Sequence, residues 1–311
     1  MTTQHTSEQG YDVVVLGGGP AGLQAALTLG RMHRPTLVLD AGTYRNDPAD
    51  AMHNVVGFDG ATPAEFRAAA HRDLAAYDDV TVHRTAATSV KGDLEEGFRV
   101  DLADGTTAWA RRVLLATGVR DTLPEIEGLD ALWGSVAAHC PFCHGHEYAG
   151  THVGLVGPHA PMLSLMVDRI AAQRTVLTNG AEVPDGTAEL AERTGLGVRT
   201  EPITRLERTA TGARAHFASG PPEELGGILV GTTFAQTAPF AEQLGLTLLE
   251  SGCVEVDAFG HTSLPGVSAA GDMAHTRELP MPAAAVLAAA SSGLMAATAL
   301  VRELAFEDGG L

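Results

Sequence analysis

Cysteine is scarce in this sequence, with three residues among 311. That number is too small for the disulfide scaffold of a small secreted domain. Two of the three, Cys140 and Cys143, are separated by two residues, so their thiols can close a disulfide within one turn of chain. A Cys-x-x-Cys pair with a βαβ pattern around it and no export signal is typical of a redox couple. Cys253 is left over, and we expect it to be unpaired or buried as a small apolar side chain.

Basic residues are also fewer than acidic residues. The 20 lysines and arginines face 38 aspartates and glutamates, which gives a formal net charge of −18. Such a charge repels phosphate backbones, so we expect no nucleic-acid partner. The hydrophobic content of 45% with scattered charge is that of a globular protein, and the length of 311 residues suggests two domains.

No export signal or strong membrane segment is recognisable. Residues 1–10 are polar and contain no apolar h-region, so we expect a frayed tail and a cytoplasmic protein. One stretch, from Pro280 to Val301, has no charged residue. However, Ala, Ser and Gly dominate it and contribute little transfer free energy. We therefore interpret it as a buried helix and expect no membrane partner.

The segment from Tyr11 onward has the pattern of a nucleotide-binding unit. Tyr11 to Leu16 is an almost wholly apolar run, typical of a parallel strand covered on both faces. It leads into a G-x-G-x-x-G motif and a helical segment, so a pyrophosphate would lie at the helix N-terminus. The next strand, Thr36 to Leu39, ends about 20 residues after the motif in an acid that can accept hydrogen bonds from a ribose. The predicted cradle consists of Gly17, Gly19, Pro20, Ala21, Gly22 and Asp40.

Between this unit and the cysteine pair, the pattern alternates between helix and strand. Glu65 to Tyr77 is Ala-rich and amphipathic, which predicts a helix. Antiparallel strands are predicted at Thr81-Val82, Phe98 to Leu102 and Thr107 to Ala110, and a buried strand at Arg112 to Ala116. Asp104-Gly105 is expected to form a hairpin turn. The polar segments around Arg45 and His53 are interpreted as solvated loop.

Taken in order, these motifs resemble the low-molecular-weight thioredoxin reductases. The residues that carry the resemblance are Gly17 to Gly22, Asp40, Ala116-Thr117-Gly118, Cys140 with Cys143, and Ala270-Gly271-Asp272. The resemblance implies an α/β fold of two Rossmann-like, three-layer ββα domains. In this arrangement the FAD-binding domain is discontinuous and contains residues 1–118 and 243–311. Residues 119–242 would form the inserted domain that carries the redox disulfide.

The same resemblance implies FAD as the cofactor and a homodimer as the assembly. The flavin contacts that it assigns are Ala116, Thr117, Gly118, Gly271 and Asp272. The Gly-Asp pair would hold the ribityl and phosphate end of the cofactor. The helix that follows, expected to start near Pro282, would point its positive N-terminus at the flavin pyrimidine.

The sequence departs from the family directly after the cysteine pair, where the family has a second loop for NADPH. The strand that begins at Val153 and its Gly157 are kept, but Pro158 and His159 stand where further motif glycines are expected. Pro158 has no N–H for a phosphate, and the His159 side chain takes space that a pyrophosphate needs. Arg174 precedes the next strand, and the basic cluster for a 2′-phosphate is absent. We interpret this module as a retained fold that has lost nicotinamide binding.

One branch of the family, the gliotoxin- and holomycin-type dithiol oxidases, has a Cys-Pro-Phe-Cys-His-Gly motif that this sequence matches in full from Cys140. Those flavoenzymes oxidise a small-molecule dithiol to a disulfide and pass the electrons to molecular oxygen. The resemblance implies that Cys140 is the sulfur attacked by substrate and that Cys143 lies next to the flavin. His144 replaces the aspartate of the family, and an imidazole with a pKa of about 6.5 can take a thiol proton at neutral pH. His139 and His146 are weaker candidates for this base.

Several alternatives stay open at this stage. The enzyme could be a thioredoxin or disulfide reductase that uses ferredoxin or NADPH bound in an atypical way, or a flavin-binding relic that only binds a partner. Cys140 to His144 also fits a haem-attachment motif, and two cysteines with a histidine could bind zinc, although we predict no metal. No residue identifies the dithiol, whose pocket we expect Phe142 and loops of residues 119–242 to shape.

Overall fold

A computed structural model describes residues 10–310, so the expected frayed tail, apart from Gly10, lies outside the described residues. The strands are β1 (Gly10–Leu16), β2 (Thr36–Leu39), β3 (Val80–His83), β4 (Ala87–Asp93), β5 (Gly97–Leu102), β6 (Thr107–Leu115), β7 (Val119–Thr122), β8 (Ala137–Ala138), β9 (His152–Val156), β10 (Gln173–Leu177), β11 (Gly197–Arg199), β12 (Ile203–Thr209), β13 (Gly212–Phe217), β14 (Glu223–Leu225), β15 (Gly227–Val230), β16 (Thr233–Gln236), β17 (Val254–Glu255), β18 (Val267–Ala269) and β19 (Ala274–His275). The helices are α1 (Pro20–Arg31), α2 (Pro63–Leu74), α3 (Pro141–His144), α4 (Ala160–Met166), α5 (Thr187–Thr194), α6 (Phe240–Gln243) and α7 (Val286–Asp308).

The chain forms two compact units, and the first takes in the residues up to Arg45, Ala64–Arg120 and the residues from Ala235 onward. Its main sheet has the order β3-β2-β1-β6-β5-β4, with β18 also paired to β6. The strands β3, β2, β1, β6 and β18 are parallel, whereas β6, β5 and β4 form an antiparallel meander. The carboxyl ends of β2, β1, β6 and β18 therefore meet at one edge of the sheet, which is where α/β folds bind their ligands.

This sheet corrects three of the sequence predictions. The strand predicted at Thr81-Val82 is β3, which pairs in parallel with β2, because a crossover through α2 joins the two. Strand β6 runs unbroken from Thr107 to Leu115, where two separate strands were expected. Strand β4 was missed, because Val90 is the only residue in it that is fully buried, and the segment shows no apolar alternation.

Helices α1 and α7 pack together on one face of the parallel strands. Glycine is needed at position 293 because a Cβ there would overlap the backbone oxygen of Ala21. Helix α7 begins at Val286 and not near Pro282, where the sequence placed it. The prediction of a buried helix holds for one face, which contains Ala296 and Leu300, while Leu294 on the other face is exposed. By length and composition alone, α7 could also span a membrane, although 33% of its most apolar window is buried inside the fold.

The second unit consists of Asn46–Pro63 and Asp121–Phe234. Its parallel sheet has the order β11-β10-β9-β15-β8, and β12-β13-β14 form a separate antiparallel sheet. Successive residues of the central strands point to opposite faces. Val156 and Ile228 pack against the antiparallel sheet, whereas Leu155 and Leu229 pack against α4 and its surroundings. This three-layer ββα arrangement confirms the predicted α/β fold.

Candidate active site

The two cysteines of the Cys-x-x-Cys motif are joined in a disulfide, with their Cα atoms 5.3 Å apart. Strand β8 ends at Ala138, so the pair follows the carboxyl end of a parallel strand. Cys140 is the N-cap of α3 in an extended conformation, and Pro141 occupies the first turn, where proline is tolerated because its N–H would have no partner. The N–H of Cys143 donates to the Cys140 carbonyl at 3.2 Å. The short helix therefore fixes the spacing that a disulfide needs.

The imidazole of His144, the next residue, is held by a backbone carbonyl. Its Nε2 lies 3.2 Å from the oxygen of Gly134, so Nε2 must carry the proton and donate it. Nδ1 is then the free acceptor, and it is buried without a hydrogen-bond partner among the described residues. Burial lowers the pKa of His144, an effect opposed by the Gly134 carbonyl and by Glu147. The imidazole is therefore neutral at pH 7 and has one unused basic nitrogen.

The two weaker base candidates have different surroundings. His139 is half-buried and stacks on Trp133, with ring centroids 5.8 Å apart. His146 is exposed at the start of a short 3-10 turn, which ends at Tyr148. Of the three histidines, His144 is the one with a buried acceptor nitrogen that has no partner among the described residues. Phe142 points into solvent, with 68% of its surface exposed.

A cavity of about 370 Å³ lies in the second unit beside α3, the redox helix, which follows Cys140 and contains Cys143. Its lining includes His144 and Glu147, the loop residue His53, and Arg208 from the end of β12. Phe142 does not line it. His53 therefore does not belong to a simple solvated loop, as its sequence context had suggested. The segment that contains His53, Asn46–Pro63, folds as part of the second unit, which carries the redox disulfide and is called the redox unit below.

The first glycine-rich loop lies between β1 and α1. Gly17 has a φ of +123°, and a Cβ there would overlap the backbone oxygen of Ala116. A Cβ at Gly22 would likewise overlap the Gly17 oxygen. At Gly19, in contrast, a Cβ would meet no protein atom within 4 Å. Gly17 and Gly22 thus permit the turn itself, whereas Gly19 faces open space at the N-terminus of α1.

The start of α1 is suited to an anion. Pro20 is the first residue of the helix, and Ala21 follows in the first turn. No side chain caps this end and no acidic residue lies in the first turn. The helix has 12 residues, enough for its aligned peptide dipoles to place partial positive charge at the N-terminus.

Asp40 follows β2 at the same edge and is 2% exposed. Its carboxylate accepts hydrogen bonds from the Gly42 N–H at 2.9 Å and from the Tyr44 hydroxyl at 2.6 and 2.8 Å. It also packs against the loop so closely that a Cβ at Gly18 would overlap it. The carboxylate is thus fixed beside the loop by two donors, and the single proton of the Tyr44 hydroxyl is shared between its two oxygens.

The strands β6 and β18 bring their following residues to this edge as well, since Leu115 pairs with Ala269. Gly118 and Gly271 both have positive φ angles, of +67° and +78°, which glycine adopts without strain. The Thr117 hydroxyl contacts the Met273 sulfur at 3.3 Å. The predicted flavin contacts therefore lie on neighbouring turns: Ala116, Thr117, Gly118, Gly271 and Asp272.

Sequence reasoning missed Arg45. Its guanidinium pairs with the Asp272 carboxylate at 2.8 Å, and the two side chains are mostly buried, at 16% and 19% exposure. The expectation of a solvated loop at Arg45 is therefore wrong. The ion pair joins the turn after β2 to the turn after β18 and places a cation beside the predicted cradle.

These residues fit FAD. The open space at Gly19 and the uncapped helix end can receive a pyrophosphate, and Asp40 stands where a ribose is recognised. The predicted cofactor contacts lie on the turns after four adjacent parallel strands.

The second loop, between β9 and α4, has a different form. Gly157 keeps a φ of +107°, which preserves the tight turn. His159 caps α4 without a side-chain hydrogen bond, and Pro161 removes a further N–H from the first turn. Pro158 and His159 are both exposed where a phosphate would approach. Compared with α1, this helix end presents fewer donors and more side chain.

The arginines near this loop are engaged by the protein. Arg174 is 8% exposed, donates to the Ser164 carbonyl at 2.9 Å and pairs with Asp168 at 2.6 Å. Arg199, at the end of β11, pairs with Glu201 and Glu223. Neither guanidinium is available for a 2′-phosphate in this arrangement.

Comparison with known proteins identifies the class. The family model of the pyridine nucleotide-disulphide oxidoreductases matches residues 11–293, so the chain belongs to that family. It is a low-molecular-weight thioredoxin reductase-like protein, a flavin-dependent thiol/disulfide oxidoreductase with FAD as its cofactor.

Particular relatives are similar over nearly the full length. The thioredoxin reductase sirT of Leptosphaeria maculans is 33% identical over 92% of each chain, and the thioredoxin reductase aclD of Aspergillus oryzae is 33% identical over 96% of this chain and 98% of its own. The crystal structure of an oxidoreductase from Agrobacterium tumefaciens has a TM-score of 0.88 and 34% identity, covering 96% of this chain and 99% of that one. The crystal structure of HlmI also has a TM-score of 0.88, with 29% identity over 98% of this chain and 96% of that one.

Proposed function

We propose that this protein is a dithiol oxidase, which closes a disulfide in a small-molecule dithiol and passes the electron pair through FAD to oxygen. The net reaction converts a dithiol and O2 into a cyclic disulfide and hydrogen peroxide. The observation that carries the proposal is the pairing of an intact disulfide at Cys140 and Cys143 with a second nucleotide loop that has lost its phosphate-binding groups. The match of Cys140 to Gly145 with the Cys-Pro-Phe-Cys-His-Gly motif of the dithiol oxidases supports it as well.

The sulfur chemistry proceeds by thiol–disulfide exchange. A substrate thiolate attacks the Sγ of Cys140, and the bond to Cys143 breaks, so that Cys143 leaves as a thiolate. The second thiol of the substrate then attacks the substrate sulfur of the mixed disulfide and releases Cys140. The substrate leaves as a disulfide and the enzyme cysteines are reduced by two electrons. FAD, when bound, accepts that pair and transfers it to oxygen.

His144 is the proposed base for this exchange. A free thiol has a pKa of about 8.5, so most of it is protonated at pH 7 and must lose its proton before it can attack. The Gly134 carbonyl fixes the Nε2–H tautomer, and Nδ1 is left as the basic atom. Because burial lowers the pKa of His144, the imidazole is in its basic form at neutral pH.

A nicotinamide dinucleotide would need hydrogen-bond donors and a free arginine, which the described residues of the second loop and its surroundings do not offer. Pro158 offers no N–H, the exposed His159 side chain stands at the helix end, and Arg174 is committed to Asp168 and Ser164. A dinucleotide would have to displace the Ser164 carbonyl and Asp168 from a buried guanidinium to recruit that arginine. Substrate thiols are therefore the favoured source of electrons.

Anaerobic stopped-flow mixing of the FAD-loaded protein tests the proposal. We expect a dithiol to bleach the flavin absorbance rapidly, NADPH to leave it unchanged, and admission of air to restore it with one peroxide per dithiol consumed. Cys143→Ser is the matched variant, which keeps the flavin and should lose bleaching by dithiol. Rapid bleaching of the wild-type protein by NADPH would refute the oxidase direction.

The second candidate is a thioredoxin or disulfide reductase that receives electrons from ferredoxin or from NADPH bound in an atypical way. The pyridine nucleotide family and the relatives named thioredoxin reductases favour it. This candidate predicts NADPH- or ferredoxin-driven reduction of a disulfide without net peroxide. The same anaerobic experiment separates the two.

We also propose a homodimer. Leu287, Leu294 and Met295 on α7 are all exposed apolar side chains, and contiguous apolar surface of this kind is typical of protein interfaces. Light scattering of the purified protein gives the mass directly. A monomer at micromolar concentration would contradict this part of the proposal.

A further inference from the structure

Among the titratable side chains that line the cavity beside the redox helix are His144, Glu147 and His53. His144 ends α3, and Glu147 lies three residues later in the following 3-10 turn. The Nε2 of His53 is 3.4 Å from a Glu147 carboxylate oxygen. Its other nitrogen lies 3.8 Å from Asp59, which is largely exposed. The cavity thus brings the imidazole that follows Cys143 together with an ion pair near the protein surface.

Two polar side chains at this cavity, Tyr148 and Arg208, are engaged in hydrogen bonds with the cavity wall. The Tyr148 hydroxyl donates to the Ser135 carbonyl at 2.9 Å. Arg208 donates to Ser135 Oγ and to the Ala131 carbonyl, both at 2.9 Å. These two residues hold the cavity wall in place.

Glu147 has a different environment. Its carboxylate is 36% exposed, and its ion-pair partner among the described residues is His53. The charged and titratable groups that act on His144 are Glu147, Asp50 and His53, and Arg208 lines the same cavity. The two carboxylates favour protonation of the imidazole, and His53 opposes it.

We propose that Glu147 is a positioning residue, which acts through His144 by stabilising its protonated form, and that His53 opposes this action by pairing with the same carboxylate. The inference rests on the proposed function, in which His144 takes a proton from the substrate dithiol. Oxidation of one dithiol releases two protons with two electrons, and reduction of O2 to peroxide consumes two protons. The proton on His144 must therefore be held briefly and then given up, and the cavity provides the path to solvent.

The pKa of His144 should shift in opposite directions in two variants. Glu147→Gln removes a negative charge that favours the imidazolium, so the pKa of His144 should fall. His53→Gln removes an opposing positive charge and frees the Glu147 carboxylate, so the pKa of His144 should rise. For partly exposed pairs worth about 0.5–1 kcal/mol, each shift is about half a pH unit. General damage to the fold would not move the same group in opposite directions.

The experiment is an NMR titration of the oxidised, FAD-loaded protein that carries labelled histidine, with no dithiol present. The His144 resonance is assigned by its loss in His144→Gln. Glu189→Gln is the matched control, because it removes one carboxylate from the same unit at an exposed position on α5 paired with Arg193. We expect a fall in Glu147→Gln, a rise in His53→Gln and no change in the control.

An unchanged His144 pKa in Glu147→Gln, or shifts of the same sign in both variants, would overturn the inference. If Glu147→Gln does not accumulate as FAD-loaded protein, His53→Gln alone carries the test, and a fall there refutes it. The acid limb of the pH profile for flavin reduction by dithiol should move with the NMR value, and a limb that stays in place also refutes it. A wild-type protein that no dithiol reduces would instead defeat the proposed function, whatever the titration shows.

Discussion

Replacing Gly19 by alanine should weaken FAD binding without destabilising the FAD-free protein. The residue has a φ of −81°, which alanine adopts freely, and an added Cβ would meet no protein atom within 4 Å. Alanine is a poorer N-cap than glycine but restricts the unfolded chain more, so these local effects, each below about 1 kcal/mol, oppose each other. The stability of the FAD-free protein should therefore change little.

The bound state is different because the Cβ occupies the space that the pyrophosphate enters. An extra methyl group in a well-packed site costs about 1–3 kcal/mol, which weakens FAD binding roughly 5- to 150-fold. The stabilisation that FAD gives at a fixed excess falls by the same free energy. At about 2–4 °C per kcal/mol, the melting temperature of the FAD-loaded protein should drop by about 2–12 °C.

The assay pairs fluorescence titration of FAD with thermal unfolding in the presence and absence of FAD. Gly10→Ala is the control, because it also meets no atom within 4 Å but lies at the start of β1, before the loop. Gly22→Ala should instead destabilise the FAD-free protein, since its Cβ overlaps the Gly17 oxygen. Wild-type FAD affinity in Gly19→Ala would refute the assignment of this loop to the pyrophosphate.

Three further predictions follow from the second unit. Cys143→Ser should retain FAD in the absorbance spectrum but lose flavin reduction by dithiols in stopped flow, and a wild-type rate would contradict the electron path. Because burial lowers the pKa of His144, the unfolded state binds a proton more readily, so stability is lost as pH falls through the unfolded value of about 6.5. His144→Gln should therefore show a smaller stability difference between pH 8 and pH 5.5 in urea unfolding than the wild type. Arg174→Gln removes the buried hydrogen bond to the Ser164 carbonyl and the ion pair with the half-exposed Asp168, and it should cost about 1–3 kcal/mol in the same assay. Isothermal titration with NADPH should give no binding heat in either form.

Local signals account for what the sequence predicted well. The β1–loop–α1 unit could be predicted because an apolar run, spaced glycines and a helical segment follow one another without interruption. Gly17 and Gly22 are fixed by backbone contacts within that unit or with the adjacent β6. The disulfide-bearing turn was equally local, since Cys140 and Cys143 are three residues apart.

Long-range contacts account for what the sequence did not show. Arg45 and Asp272 are 227 positions apart, and an arginine in a polar loop looks the same whether it is solvated or paired. His53 likewise gained its place beside Glu147 only through the fold of its segment against the redox unit. Strand β3 was assigned the wrong partner direction because Thr81-Val82 has the same alternation in either orientation. A single sequence contains no signal for any of these partners.

The redox pair and the second nucleotide loop depend on different residues, so the proposed loss of nicotinamide binding would leave the redox pair in place. The buried side chains of β9, such as Leu155, support β15, and β15 in turn holds β8 directly before the redox pair. Pro158 and His159 lie on the exposed loop after β9 and contribute little to that core. Substitutions in the loop can therefore abolish a nucleotide site at small cost in stability, whereas substitutions in the sheet would displace the disulfide. A change of electron donor with retention of the redox helix is thus the outcome that this architecture permits most easily.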